Sequence, residues 1–399
     1  MKPRHADPNA TPDRPAADAS ERPRRGVRLH ARPRHGRTVG AVIGLSLAVL
    51  ALVTAGITTA AWRHLDRNLE ELAPVAGPRP DNVDLGEDGE PLDILVMGSD
   101  SRDCRGCGID DHTGEGQRSD TTVLLHVAAD RSRAYAVSIP RDMIIDRPAC
   151  TSADGTTEPA ATDVQWNAAF DVGGPTCTVQ QVEAMTGIRL EHYLVVDFGG
   201  LRRMVAALGG VEMCIPHDIV DPKHGIMLKA GTRRLSPTES EDYLRERYEL
   251  SYGTDTGRMK RQQAFMAAMI HDAVSAGMLA HPTRLYHFLD AVTASVRLDP
   301  DLDGLHDLVA MARDLGRVGT DRIRFLTMPS HEDPDVYGRI LPTQPAANRL
   351  WNLLVHDRTL PARLAQGSIS ADAVPGSGRK DRGPGAATAD ELEFAGLCT

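Results

Sequence analysis

The longest apolar stretch in the chain spans residues 39–62, a run of 24 apolar or small residues without a charged side chain. A helix of that length crosses a hydrocarbon core of ~30 Å, since each residue adds about 1.5 Å. A cleaved signal peptide is the alternative, because Thr59, Ala60 and Ala61 offer small residues for cleavage. The hydrophobic region of a signal peptide typically has ~7–15 residues, so the pattern favours a transmembrane anchor.

After this run, segments with the apolar pattern of a strand alternate with segments that have the apolar pattern of a helix. Apolar runs between turn-forming residues predict buried strands at 93–98, 121–127 and 134–140, the last two joined as a hairpin. Asp197 is placed to cap a helix at 198–208. We expect further strands at 193–196 and 323–328, and further helices at 179–185, 257–277, 282–316 and 346–354. Alternating elements of this kind favour an α/β or α+β sandwich around one central sheet.

Composition divides the chain into five segments. Residues 1–38 are rich in Pro and Arg and aperiodic, which predicts disorder, and residues 39–62 are the anchor. Residues 63–90 are expected to form a stalk. Residues 91–365 carry the alternating elements of one extracytoplasmic domain, and residues 366–399, rich in Gly, Pro, Ser and Asp, are expected to form a polar tail.

The charge is distributed unevenly. Residues 1–38 hold ten Lys or Arg and four acidic residues, a net charge of +6. Because residues 39–62 are uncharged and the whole chain carries −10, residues 63–399 carry −16. Positive charge before an apolar span favours a cytoplasmic N-terminus, which predicts a single-pass protein of the cell membrane with its domain outside. A body this acidic is unsuited to nucleic-acid binding, because neutralising phosphates needs a basic face.

Six cysteines all follow the apolar stretch. An even number in an extracytoplasmic chain indicates disulfides, with fifteen possible pairings of six. Cys104 and Cys107 could instead bind zinc, but the remaining ligands would have to come from Asp110, Asp111 and His112, which is an unusual set. We expect bonds between Cys150 and Cys177, between Cys214 and Cys398, and locally between Cys104 and Cys107.

Candidate chemistry begins at the open end of the predicted hairpin. If Val127 lies opposite Ala134, the antiparallel register places Asp120 opposite Arg141. Asp100 follows the carboxyl end of the first strand, where crevices of α/β sheets tend to lie. The alternative is an exposed Asp–Arg pair at the edge of a sheet.

A second set of basic residues suits an anionic ligand. Arg245 and Arg247 would share one side of an extended segment, and Arg258 and Gln262 one face in the first turn of a helix, with Arg261 alongside. Basic residues there oppose the helix dipole, whereas a phosphate bound by free backbone N–H groups and guanidinium forks would account for them. In the alternative, nearby acids neutralise these arginines on a solvated surface: Asp242, Glu246, Glu249 and Asp255.

These motifs together resemble the LytR-CpsA-Psr family of membrane-anchored cell-wall proteins, from about Leu92 to Met269. The matching segments are Asp93-Ile-Leu-Val-Met-Gly-Ser-Asp-Ser-Arg102, Arg118-Ser-Asp-Thr-Thr122, Ser138-Ile-Pro-Arg-Asp142, Trp166-Asn-Ala-Ala-Phe170, Leu208-Gly-Gly-Val-Glu212, Leu244-Arg-Glu-Arg247 and Gly257-Arg258-x-x-Arg261-Gln262.

The resemblance implies an α/β/α sandwich around a mixed sheet, with a hydrophobic groove for a polyprenyl chain. It implies a phosphotransferase that attaches a polyprenyl-(pyro)phosphate-linked glycopolymer, of teichoic acid, capsular or arabinogalactan type, to a peptidoglycan hydroxyl. Asp100 and Asp120 would hold Mg²⁺ or Mn²⁺, although an insert at 104–116 makes Asp103, Asp110 and Asp111 rival ligands. The pyrophosphate would be bound by Arg118, Arg141, Arg245, Arg247, Arg258 and Gln262. The catalytic residues would be Asp120, Arg141, Arg245 and Arg247.

Two alternative functions are compatible with the sequence. A non-catalytic protein that binds polyprenyl phosphate or glycan would use the same basic residues without turnover. A LytR-type transcriptional attenuator would need its DNA contacts in residues 1–38, because the body lies outside the membrane. The sequence leaves the polymer, the acceptor and any general base open.

Overall fold

The computed structural model describes residues 35–83, 89–99, 119–246, 249–250 and 255–399. The chain divides into two compact units, residues 1–58 and 59–399. In the first unit, the described residues are helical throughout. They belong to α1, whose segment Val39–Arg67 is long and apolar enough to cross a membrane.

The helices are α1 His35–Arg67, α2 Ala168–Thr186, α3 Phe198–Leu208, α4 Pro237–Arg245, α5 Asp255–Ala273, α6 Ala276–Leu279, α7 Pro282–Thr293, α8 Gly304–Val318, α9 Ala346–Val355 and α10 Ala389–Phe394. The strands up to the middle of the chain are β1 Glu70–Glu71, β2 Leu92–Ser99, β3 Ser119–Val127, β4 Ala134–Ile139, β5 Ile144–Arg147, β6 Cys150–Thr151, β7 Thr157–Glu158, β8 Ala161–Gln165 and β9 His192–Asp197. They are followed by β10 Val211–Ile215, β11 Ile219–Asp221, β12 Ile226–Leu228, β13 Gly231–Leu235, β14 Val296–Leu298, β15 Ile323–Thr327, β16 Ser330–Glu332, β17 Ile340–Pro342 and β18 Ile369–Ser370.

One sheet of the second unit has eight strands among the described residues, in the order β1-β14-β9-β2-β3-β4-β15-β18. Strand β2 is parallel to β9 and antiparallel to β3, while β4 is antiparallel to β3 and parallel to β15. The sheet is therefore mixed, as the sequence predicted.

Helices cover both faces of this sheet. Because side chains alternate along a strand, Val123 of β3 joins one core cluster with Val205 of α3 and Phe265 of α5. Its neighbour Leu124 joins the opposite cluster, with Val182 of α2 and Trp351 of α9. This arrangement confirms an α/β/α sandwich.

The predicted strands at 93–98, 121–127 and 134–140 are confirmed as β2, β3 and β4. Helix α2 begins eleven residues before the predicted start at 179, because the helix continues across a kink at Gly174, next to Pro175. Within 282–316, which we expected to be mainly helical, three residues form β14, a strand too short to leave a periodic signal.

The segment predicted as a polar tail, residues 366–399, differs most from expectation. Its few apolar residues are spaced among polar ones but are buried in the core: Ile369, Ala371, Val374 and Leu397. Strand β18 of this segment extends the central sheet beside β15. The predicted stalk likewise contributes β1, which pairs with β14.

Both long-range disulfide predictions are confirmed. Cys150 is bonded to Cys177, and Cys214 is bonded to Cys398. Cys104 and Cys107 lie outside the described residues.

Candidate functional site

Two of the predicted site residues, Arg141 and Gln262, lie at one edge of the central sheet. Since β2, β4, β9 and β15 share one direction and β3 runs opposite, the carboxyl ends of those four strands lie beside the start of β3. Ser99, the last residue of β2, is in register with Ser119 on one side and Asp197 on the other. The topology therefore brings the ends of β2 and β9 and the start of β3 together at this edge.

The hairpin has the predicted register. Val127 lies opposite Ala134, and the pairing continues to Thr122 opposite Ile139, where it ends. The backbone of Asp120 lies two residues before the last pair, but its side chain is outside the described part of the chain. Its approach to Arg141 remains a prediction.

A pocket opens at this edge between the hairpin and α5. Its cavity is small, with a volume of about 10 Å³. The lining residues are Thr121, Thr122, Ser138, Ile139, Arg141, Met259, Gln262 and Met266. Two predicted ligand-binding residues from distant parts of the sequence, Arg141 and Gln262, thus reach one pocket.

The side chain of Arg141 is held by its neighbour. Its Nε donates a hydrogen bond of 3.2 Å to Asp142 Oδ2, and only 14% of the side chain is exposed. The other carboxylate oxygen of Asp142 accepts a bond of 2.8 Å from Gln165 Nε2. Asp142 therefore orients the guanidinium group at the pocket, a role that the sequence analysis missed.

Helix α5 forms the opposite wall. Arg258 is buried, with 5% exposure, while Gln262 faces the pocket. Gln263 is fully buried and its Nε2 donates to Ser138 Oγ at 3.0 Å and Thr327 Oγ1 at 2.9 Å. These two bonds fix α5 to the carboxyl ends of β4 and β15. Sequence reasoning overlooked them because the partners are 125 and 64 residues away in the chain.

The conformation predicted for Arg245 is wrong. Arg245 is the last residue of α4, not part of an extended segment, and its exposed side chain pairs with Glu241 at 2.7 Å. The helix forms because Ser236 and Glu239 make a capping box around Pro237 at its start. Glu246, which caps the end of α4, uses its carboxylate to accept the backbone N–H groups of residues 249 and 250.

Several predicted residues fall outside the described part of the chain. They are Asp100, Asp103, Asp110, Asp111, Arg118 and Arg247. Among the residues that the structure does describe, no group of three or more His, Cys, Asp or Glu side chains is arranged to hold a metal ion.

A cluster of ionisable groups that the sequence analysis did not anticipate lies at the other end of β3. His126 is completely buried, and its ring nitrogens lie 2.8 Å from Asp93 Oδ1 and 3.2 Å from Asp357 Oδ1. Burial alone would lower the pKa of His126, but the two carboxylates outweigh it and raise the pKa to about 9. Nearby, burial and the charge of Asp93 raise the pKa of Glu191 to about 7.

Comparison with known proteins relates this architecture to cell-wall proteins. The sequence pattern of the LytR_cpsA_psr family matches residues 59–354. The cell wall biosynthesis protein LcpA of Corynebacterium glutamicum is 29% identical over 311 residues, which are 71% of this chain and 58% of that protein. The chain thus spans a little over half of that relative.

Two further proteins match over most of their own length. The polyisoprenyl-teichoic acid–peptidoglycan teichoic acid transferase TagU of Halalkalibacterium halodurans is 29% identical over 318 residues, covering 75% of this chain and 95% of that protein. The solved structure of a LytR-Csp2A-Psr enzyme from Actinomyces oris has a TM-score of 0.53 at 20% identity, covering 71% of this chain and 96% of that one. At this identity, the structure supports the fold alone.

Proposed function

This chain belongs to the LytR_cpsA_psr family, and we propose from that premise that it transfers a polyprenyl-pyrophosphate-linked glycopolymer to a hydroxyl of peptidoglycan. The observation that carries the proposal is the pocket in which Arg141 and Gln262 meet at the carboxyl edge of the sheet. The relative TagU, named as a teichoic acid transferase, supports this substrate class.

The pocket has the polarity that such a donor requires. Arg141 offers a guanidinium group, a fork of fixed donors that suits phosphate oxygens. Ile139, Met259 and Met266 give the pocket an apolar wall, and methionine adapts readily to an irregular apolar partner. A pyrophosphate attached to a lipid needs both features side by side.

The reaction is a phosphoryl transfer. An acceptor hydroxyl oxygen forms a bond to the phosphorus that carries the glycopolymer, and the bond from this phosphorus to the bridging oxygen breaks. Polyprenyl phosphate leaves with the bond electrons, and the proton of the acceptor goes to a base that we leave unassigned. Arg141 would stabilise the negative charge that develops on the phosphoryl oxygens.

Asp100 and Asp120 are proposed to hold Mg²⁺ or Mn²⁺. Carboxylates are the ligands that these ions prefer, and the backbone places Asp120 at the same edge as the pocket. A bound divalent ion would supply charge stabilisation to the phosphoryl oxygens. In this proposal, the chain presents both carboxylates beside Arg141.

The proposal also includes the orientation of the chain in the membrane. We infer that α1 anchors the chain, with residues 1–38 in the cytoplasm and the second unit outside. The apolar segment within Val39–Arg67 and the basic residues that precede it support this orientation. The two disulfides suit an oxidising compartment outside the cytoplasm.

Arg141→Ala tests the proposal, with Arg339→Ala as its matched control. Arg339 lies 4.0 Å from Oδ1 of Asp142, whereas Arg141 binds Oδ2, and Arg339 does not line the pocket. The full chain in detergent, given a polyprenyl-pyrophosphate-linked disaccharide, peptidoglycan and Mg²⁺, releases polyprenyl phosphate that can be measured. We expect Arg141→Ala to slow release by about 10²–10³-fold and Arg339→Ala to leave it near wild type. Equal rates for all three proteins would refute the proposed role of the pocket.

A further inference from the structure

The last part of the chain, residues 366–399, lies beyond the region that matches the family pattern, which ends at residue 354. We call it the C-terminal strap, because it runs across the core and is fixed at several points. Strand β18 pairs with β15, Arg324 binds both carboxylate oxygens of Asp381 at 2.9 and 3.1 Å, and Cys398 is bonded to Cys214. A segment held this firmly has a defined position relative to the pocket.

The strap contacts the helix that forms the pocket wall. Lys260 of α5 donates to the carbonyl oxygen of Gly367. The next residue, Arg261, is completely buried and its Nη1 donates to the carbonyl oxygen of Ala395 at 3.2 Å. The adjacent residue on α5 is Gln262, which lines the pocket. The strap therefore binds α5 immediately beside a proposed ligand-binding residue.

Arg261 also connects the strap to α4. Its Nη2 donates to the carbonyl oxygen of Glu246 at 2.5 Å. Glu246 is the C-cap of α4, and Ala395 is the C-cap of α10. One guanidinium fork thus satisfies carbonyl groups at two helix ends, where unpaired carbonyls and the helix dipole favour a positive charge. A lysine, a single point donor, could not span both.

A second contact is independent of Arg261. Gly396 of the strap has a φ of 71°, and a Cβ atom added there would lie 2.8 Å from Leu250 Cδ2 and 3.1 Å from Leu250 Cβ. Leu250 is buried, and its backbone N–H donates to the carboxylate of Glu246 at 3.0 Å. The strap therefore packs closely against Leu250, which is bonded to Glu246.

We propose that the strap is a positioning element for the pocket, acting through Arg261 and Leu250 on α5 and on the chain around Glu246. This inference rests on the proposed function, since it assigns the positioned residues to donor binding. Arg245 is the chain neighbour of Glu246, and Gln262 is the chain neighbour of Arg261, so that fixing Glu246 and Arg261 restricts where the side chains of Arg245 and Gln262 can lie. Burial lowers the pKa of Arg261, because the charged guanidinium group loses hydration inside the protein.

Gly396→Ala tests the contact, and Gly378→Ala is the matched control. Both positions have positive φ, 71° and 76°, so that the backbone strain is similar, but a Cβ at Gly378 meets nothing within 4 Å. We expect Gly396→Ala to raise the donor KM and to lower kcat/KM by about 10- to 100-fold at a temperature where all the proteins are folded. The control should keep wild-type values.

Hydrogen exchange measures the same coupling without turnover. The backbone N–H groups of Glu249 and Leu250 donate to the carboxylate of Glu246, so that we expect both to exchange slowly in the wild type. In both Gly396→Ala and Arg261→Lys, the peptide that contains Glu249 and Leu250 should exchange faster, while β2 and β3 stay protected. Two variants are used so that the test survives if one of them does not fold. Unchanged exchange and unchanged kcat/KM in both variants would overturn the inference. If wild type shows no turnover, the proposed function fails, and hydrogen exchange still decides the coupling.

Discussion

His126 is enclosed by two carboxylates at the end of β3 farthest from the pocket. Its raised pKa has a direct thermodynamic consequence, because protonated His126 is favoured by the folded state. The stabilisation is fully present below the unfolded pKa of about 6.5 and is lost as the pH rises through about 9. Glu191, with a pKa raised to about 7, acts in the same direction at lower pH, since its neutral form is favoured in the folded state.

We predict that the free energy of unfolding falls by up to about 3 kcal/mol between pH 6.5 and pH 9. Urea unfolding of the full chain in detergent, followed by circular dichroism at several pH values, measures it. In His126→Gln most of this fall should disappear, leaving the part that Glu191 contributes near pH 7, whereas His356→Gln, which removes an exposed imidazole, should leave the whole fall intact. The same pH dependence in both variants would contradict the assignment to His126.

Individual residues show how far the sequence could predict this site. Arg141 and Gln262 were selected from motif and spacing, and the fold brings them into one pocket. Asp142 and Gln263 were missed because their roles depend on partners elsewhere in the fold, at Gln165 and at Ser138 and Thr327. Local spacing carries no information on such contacts.

At the scale of elements, the short-range pattern was sufficient where an element is regular. The hairpin register followed from loop length and alternation, and Asp197 caps α3 as predicted by accepting a bond from the Gly199 N–H. The pattern was insufficient where tertiary contacts decide. Arg245 was assigned to an extended segment although the capping box at Ser236 extends the helix to it, and β14 is stabilised mainly by its neighbours in the sheet.

The two disulfides differ in the length of chain that they close. Cys214 and Cys398 are 184 residues apart, whereas Cys150 and Cys177 are 27 apart. In the chain-entropy account, the disulfide that closes the longer loop stabilises the folded state by about 5 kcal/mol, and the one that closes the shorter loop by about 4 kcal/mol. We expect Cys214→Ser/Cys398→Ser to lower the free energy of unfolding more than Cys150→Ser/Cys177→Ser, as measured by urea unfolding. The reverse order would contradict the chain-entropy account of these two bonds.

On the scale of the whole molecule, the chain combines a membrane-span candidate with an α/β/α domain whose pocket lies at the carboxyl edge of the sheet. The sequence predicted this architecture and both long-range disulfides. It did not predict that residues 366–399 belong to the core, because their overall composition is polar and only a few apolar side chains are buried. Composition averages over a segment, whereas packing depends on individual positions.

The formation of a peptidoglycan-linked glycopolymer by the purified full chain tests the central claim most directly. With a lipid-linked donor, peptidoglycan and Mg²⁺, wild type should form the product and release polyprenyl phosphate in equal amounts. Asp120→Ala should form almost none, and excess Mg²⁺ should restore little, since the carboxylate ligand is gone. Wild-type protein that binds the donor but forms no product, or Asp120→Ala protein that forms it at the wild-type rate, would contradict a metal-assisted transferase.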